Sequence, residues 1–179
     1  MNKVIIFPTD TVYGIGTPIF DTLGIKKIYE IKHRDYSKPL ACLCYDLKQI
    51  ESICYVSDLA RKLINKYLPG ALTIILDAKE EVVDKIGYKT IGVRIPDCQI
   101  ALDILRKNGP MLTTSVNSSG EKAMNDYEQI VKCYGSLVDK IYKADGFSSS
   151  IASTVIRVIG DNIEVLREGE ITEAELKNV

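Results

Sequence analysis

The chain has 179 residues, 23 basic and 24 acidic side chains, a net charge of -1 and a hydrophobic share of 46%. That is an ordinary globular composition with room for a proper core, and it argues against a protein that coats nucleic acid, which would be clearly basic. A local basic cleft remains compatible with it, because field focusing depends on where the charges sit.

The chain opens Met1-Asn2-Lys3 and runs into Val4-Ile5-Ile6-Phe7. That apolar run is too short for a signal peptide, and no stretch approaches the roughly 20 apolar residues that span a bilayer. A cytoplasmic protein with no membrane association is expected. Val4 to Phe7 reads as a short buried strand that stops at Pro8-Thr9-Asp10. Thr22 to about Lys32 reads as a helix, with Leu23, Ile28 and Ile31 as its apolar stripe and Asp21 or Thr22 as N-cap. Leu40 to Tyr45 is a second strand, and Ser57 to Tyr67 a second helix stopped by Pro69-Gly70. Leu72 to Leu76 and Thr90 to Ile95 are strands. Ile100 to Lys107 is a helix closed by Asn108-Gly109-Pro110. Met111 to Thr114 is a strand and Asp126 to Tyr134 a helix. Leu137 to Lys143, Ala152 to Val158 and Ile163 to Arg167 read as strands. Thr172 to Lys177 is a short helix with Thr172 and Glu175 as a capping box. Strands interleaved with helices early and consecutive strands late predict an α/β fold with a mixed sheet, in one domain over 1–179.

Five cysteines, Cys42, Cys44, Cys54, Cys98 and Cys133, are irregularly spaced, which argues against a disulfide framework or a zinc site. Cys42 and Cys44 read as small buried hydrophobes sharing a strand face. Gly14-x-Gly16 lacks the third glycine of a dinucleotide fingerprint, and there is no P-loop. A nucleotide bound here must be held by side-chain cations and strand-end loops.

Several segments carry polar groups where ligands favour α/β sheets. Thr9 and Thr11 follow the first strand directly. Lys32-His33-Arg34 and Lys38 cluster at a helix end, either as cations that suit a helix C-terminus or as a phosphate clamp with Arg34 as a planar fork. His33, the only histidine, reads as solvated or hydrogen-bonded rather than as a base. Arg94 interrupts an apolar strand and needs an anionic partner, either an internal carboxylate or that of a ligand. Thr113-Thr114-Ser115-Val116-Asn117-Ser118-Ser119-Gly120 crowds hydroxyls and an amide at a strand end. Ser153-Thr154-Val155 and Val165-Leu166-Arg167-Glu168-Gly169 close the series. No catalytic triad, metal spacing or carboxylate pair is evident.

Taken in order, these segments resemble the YrdC-like family, the threonylcarbamoyl-AMP synthases. The matching stretches are Pro-Thr-Asp-Thr-Val-Tyr-Gly at 8–14, Ile-Lys-x-Arg at 31–34, Lys-Pro-Leu at 38–40 and Leu-Pro-Gly-x-Leu-Thr at 68–73. Gly-Val-Arg-Ile-Pro at 92–96, Thr-Ser-x-Asn-x-Ser-Gly at 114–120, Ser-Thr-Val at 153–155 and Val-Leu-Arg-x-Gly at 165–169 follow. The resemblance implies a twisted mixed sheet flanked by helices around a large, positively lined cavity, of the short single-domain type.

It also implies a reaction. L-Threonine, bicarbonate and ATP would give threonylcarbamoyl-adenylate and pyrophosphate, with Mg2+ on the phosphates. The product would pass to a downstream transferase that modifies position 37 of certain tRNAs, with tRNA itself a possible partner. By resemblance, Lys32 and Arg34 carry the catalytic charge. Arg34, Lys38, Thr90, Ser115, Asn117 and Arg167 face ATP, and Thr11, Arg94, Thr113 and Ser153 face threonine. Two departures matter: Leu43 stands where some relatives have a histidine, and Ala123 offers no hydroxyl to a nucleotide. The rival readings are an RNA-binding module of this fold without catalysis and a carbamoyl-transfer domain related by fold.

Overall fold

The computed structural model describes residues 3–144 and 151–176. In chain order it forms β1 (Ile5–Phe7), β2 (Gly14–Pro18), α1 (Thr22–Lys32), β3 (Ala41–Leu43), α2 (Leu47–Ile53), α3 (Asp58–Tyr67), β4 (Leu72–Asp77), α4 (Glu80–Ile86), β5 (Thr90–Arg94), α5 (Gln99–Asn108), β6 (Met111–Ser115), α6 (Tyr127–Tyr134), β7 (Lys140–Ile141), β8 (Thr154–Ile159), β9 (Asn162–Arg167) and α7 (Glu173–Leu176). The strands form one nine-stranded mixed sheet in the order β7-β1-β2-β6-β3-β5-β4-β8-β9. Three pairs are parallel, β1 with β7, β3 with β5 and β4 with β8.

Local chemistry sets the helix ends. The Asp21 carboxylate accepts from the Gly24 N–H at 2.9 Å and caps α1. Ser57 and Asp126 cap α3 and α6 in the same way. In α7, Thr172 and Glu175 exchange the bonds of a capping box. Helix α1 ends at His33, which takes a left-handed conformation at φ 49° and is exposed.

Several elements differ from the sequence expectation. The buried stripe of α1 is Gly24, Ile28, Tyr29 and Lys32, whereas Leu23 is exposed. Gly24 is buried because an added Cβ would lie 2.2 Å from the Thr17 hydroxyl, so the helix sits closer to the sheet than a larger residue permits. Strand β2 was hidden by its two glycines. Its partner supplies the bulk instead, since a Cβ on Gly16 would meet the Thr113 hydroxyl at 2.7 Å. Helices α2 and α4 are additional, one capped by Asp46 and the other ending at Gly87 in the left-handed region. The strand expected over 137–143 contracts to β7, because Leu137 still closes the final turn of α6 through its N–H to the Tyr134 carbonyl.

The two sheet faces are covered unequally. Ile6, Cys42, Leu72, Ile74, Val93, Leu112 and Ile156 belong to a large core with residues from α1, α2, α3, α4 and α6. Ile5, Phe7, Leu43 and Met111 point the other way and pack with Ala101, Ile104 and Leu105 of α5. Each fully buried side chain of this size contributes roughly 1.5–3 kcal/mol. Burial is therefore extensive on one face, while on the other it is concentrated under one helix. Cys42, Cys44 and Cys54 lie in the large core, where burial pushes the Cys54 thiol up to about 12 and the Cys44 thiol also upward. Such thiols are inert packing groups.

Candidate active site

The part of the second face that α5 leaves open is a cavity of about 390 Å3, within the range typical of small-molecule sites. Strand alternation builds it. Ala41 and Leu43, Thr73 and Ile75, Thr90, Gly92 and Arg94, Thr113 and Ser115, and Ser153 and Val155 all line it. Their neighbours Cys42, Ile74, Val93 and Leu112 face the opposite core. Glycine at 14 and 92 keeps the floor deep, and Arg34 and Arg167 reach in from either side. Among the described residues the lining contains three arginines and no carboxylate.

Arg94 is 6% exposed, and each of its three guanidinium nitrogens has a partner, which engages three of its five N–H groups. Its Nε donates to the Gly70 carbonyl at 2.9 Å, one terminal nitrogen to the Thr11 hydroxyl at 2.8 Å and the other to Asp10. Asp10 is thus the internal carboxylate that a buried arginine requires. Burial pulls the guanidinium down from its ordinary value, and Asp10 pulls it back. Thr9 organises this corner: its hydroxyl accepts from the Thr11 and Val12 amides and donates to the Val12 carbonyl. Opposite, the Thr73 and Ser153 hydroxyls lie 2.8 Å apart. Arg167 donates to the Ser153 carbonyl from Nε at 3.1 Å and from a terminal nitrogen at 2.7 Å.

Lys32 is absent from the lining. It is 1% exposed, and its ammonium donates to the Ser115 carbonyl, to the Asn117 carbonyl at 2.9 Å and to Asn117 Oδ1 at 2.6 Å. All three N–H groups are engaged. The Lys32 carbonyl accepts from Ser119 N–H, and the Ser115 hydroxyl bonds Asn117 Oδ1 at 2.9 Å. Lys32 therefore pins the end of β6 from behind the site. Burial, and after it the Arg34 charge, push its ammonium down to about 8.

Arg34, two residues on, does line the cavity. Its Nε donates to the Lys38 carbonyl and a terminal nitrogen to the Pro39 carbonyl, each at 3.1 Å. The guanidinium is only partly covered and can still meet a ligand. Of the residues expected from the sequence, Thr11, Arg34, Thr90, Arg94, Thr113, Ser115, Ser153 and Arg167 come together around the cavity, whereas Lys32, Lys38 and Asn117 lie outside its lining. Thr9, Leu43 and Thr73 join it without having been assigned to it from the sequence. Thr9 lay in the polar segment after β1 that the sequence singled out, and Thr73 is the one hydroxyl in an otherwise apolar stretch of β4, whereas an apolar Leu43 on a buried strand gave no signal in the residues themselves. No cluster of three or more histidine, cysteine or carboxylate side chains able to hold a metal occurs among the described residues.

The profile of the Sua5/YciO/YrdC group, described as telomere recombination, matches residues 1–169. The chain belongs to this family. A Methanocaldococcus jannaschii relative described as a putative threonylcarbamoyl-AMP synthase is 38% identical over 95% of this chain and 81% of its own length. The Bacillus subtilis threonylcarbamoyl-AMP synthase is 32% identical over 99% of this chain, which spans 53% of that protein. The crystal structure of Pyrococcus abyssi Sua5 complexed with L-threonine superposes with a TM-score of 0.89 at 29% identity, over 99% of this chain and 53% of that one. The family therefore includes a member crystallised with an amino acid. The nine-stranded mixed sheet agrees with the family fold expected from the sequence. Among the described residues no helix is long and apolar enough to cross a membrane.

Proposed function

We propose that this protein makes threonylcarbamoyl-adenylate from L-threonine, bicarbonate and ATP, as a nucleotidyltransferase. The observation that carries this reading is the cavity itself: three arginines and a ring of hydroxyls on one sheet face, with no lining carboxylate among the described residues. That lining suits an anionic substrate whose reaction needs charge neutralised rather than a side-chain nucleophile. The names of the relatives agree with it.

The chemistry follows from the substrates. The threonine amine takes up bicarbonate to give a carbamate and water. A carbamate oxygen attacks the α-phosphorus, and the bond to the pyrophosphate oxygen breaks. The nucleophile arrives already anionic, so the protein's tasks are positioning and electrostatic stabilisation. Arg94 and Thr11 form the threonine corner, near Thr113 and Ser153. Arg34, Ser115 and Arg167 face the triphosphate, with Thr90 at the rim. Lys32 and Asn117 serve the same site by fixing the turn after Ser115, and Lys38 serves through its carbonyl. Mg2+ would enter on the phosphate oxygens as part of the nucleotide substrate. The apolar Leu43 makes a dry wall where some relatives carry a histidine. The product would pass to a separate transferase acting on tRNA.

The test is pyrophosphate release with identification of the product by mass spectrometry. Release should require ATP, L-threonine and bicarbonate together. Equal release with L-serine would overturn the assignment of threonine as substrate, and tight RNA binding with no turnover would favour a non-catalytic RNA module instead.

A further inference from the structure

The loop that carries Arg34 is closed by tyrosines. Tyr29, on the buried side of α1, donates its hydroxyl proton to the Lys38 carbonyl at 2.9 Å. That same carbonyl accepts from Arg34 Nε. The Tyr29 oxygen also meets the Tyr88 hydroxyl. A phenol has one proton, and that of Tyr29 is engaged with Lys38, so Tyr88 is the donor in this pair. The Tyr29 ring stacks on Tyr36 of the same loop, with centroids 4.6 Å apart. A continuous path thus runs from Tyr88 through Tyr29 and the Lys38 carbonyl to the Arg34 guanidinium.

Its two ends adjoin different lining elements of the cavity. Arg34 is itself a lining residue, and Tyr88 stands two residues before Thr90, the lining residue at the start of β5. The loop leaves α1 at a left-handed residue, its start is tied to the helix by Arg34 N–H to the Tyr29 carbonyl, and Lys38 N–H bonds the Asp35 carbonyl within it. Beyond Arg34, its position over the cavity is held largely by the side-chain contacts of Tyr29, Arg34 and Tyr36.

We propose that Tyr29 and Tyr88 are positioning residues that brace the Arg34 loop against the entry to β5 and so set the guanidinium for the nucleotide. The assignment of the nucleotide to Arg34 rests on the function proposed above. The brace does not.

Two measurements separate these ideas. The first is hydrogen exchange of residues 34–38 in the ligand-free protein. Y88F should speed exchange there while leaving the α3 amides unchanged. Unchanged exchange at 34–38 overturns the brace, whatever the enzyme does. The second is steady-state pyrophosphate release. Y88F should raise KM for ATP about fivefold, the factor commonly lost with one hydrogen bond, with KM for threonine within about twofold of the parent. Y29F, which loses both contacts, should do the same to a greater extent. In the background of Arg34→Ala, Y88F should add nothing, because the group it positions is gone. An additive effect, or equal rises in both KM values with a lowered melting temperature, overturns the proposal in favour of general destabilisation. A parent protein without turnover would sink the proposed function and leave the exchange result to decide the brace.

Discussion

Arg94 and Lys32 are both cations on the inside of the molecule, and they are neutralised in different ways. Arg94 has a carboxylate, a hydroxyl and a carbonyl. Lys32 has two carbonyls and an amide oxygen, all uncharged. Arg94 also lines the cavity, whereas Lys32 sits behind it. A cation paired with a carboxylate is locked as a charge. A lysine surrounded by dipoles keeps its proton less firmly and enters the range where pH can remove it. The difference separates a group that can meet substrate from one that shapes the wall substrate meets.

The largest effect that tests this contrast is Arg94→Ala. It leaves Asp10 beside the cavity without its partner and should cost about 3–5 kcal/mol in a denaturant melt, together with loss of threonine-dependent turnover. A variant as stable as the parent would show that Asp10 does not depend on the guanidinium. Arg34→Ala should fall next. Turnover drops about a hundredfold, on the scale of losing one preorganised charge donor, while the melt stays close to the parent. Unfolding would make Arg34 a structural member instead.

Lys32→Met should cost about 1–3 kcal/mol, because three buried oxygens lose their donor, and should weaken ATP use more than threonine use. Lys32 also predicts a pH profile. Its folded value, about 8, lies below the ordinary lysine range. Between the two the unfolded chain holds more protons, so this group's contribution to stability grows as pH rises through that window. Activity should move in the opposite direction. Above about pH 8 the neutral amine has one N–H fewer to hold Ser115 and Asn117. A Lys32→Arg variant, charged throughout, should lose that break in the profile. The smallest effect is Thr11→Val, expected to raise KM for threonine about fivefold through one lost hydrogen bond.

Legibility from the sequence divides along the same line. Strand β5 was readable because Thr90, Gly92 and Arg94 alternate with apolar Ile91 and Val93. The caps of α1 and α7 were readable because the capping side chain is adjacent in sequence. Strand β2 was not, since its glycines are explained only by the threonine of a partner nearly a hundred residues away. Lys32 was misplaced for the same reason. A basic run at a helix end says nothing about which cation turns inward, and the acceptors that capture Lys32 come from β6 and the turn beyond it. Arg94 was flagged as needing an anion, but only the fold could choose Asp10.

The glycine at the cavity floor carries a lesson about how such a site changes. A Cβ at position 92 would meet Thr73 at 3.1 Å, a tight but yielding contact, whereas one at position 14 would strike Thr113 at 2.6 Å. Much of the room for substrate is therefore written in the chain as atoms left out. A single methyl group added at Gly92 would narrow the chamber without touching any charge. The size of molecule admitted and the chemistry performed on it are thereby separable in inheritance, so drift at one glycine can retune what enters while every arginine stays where it is.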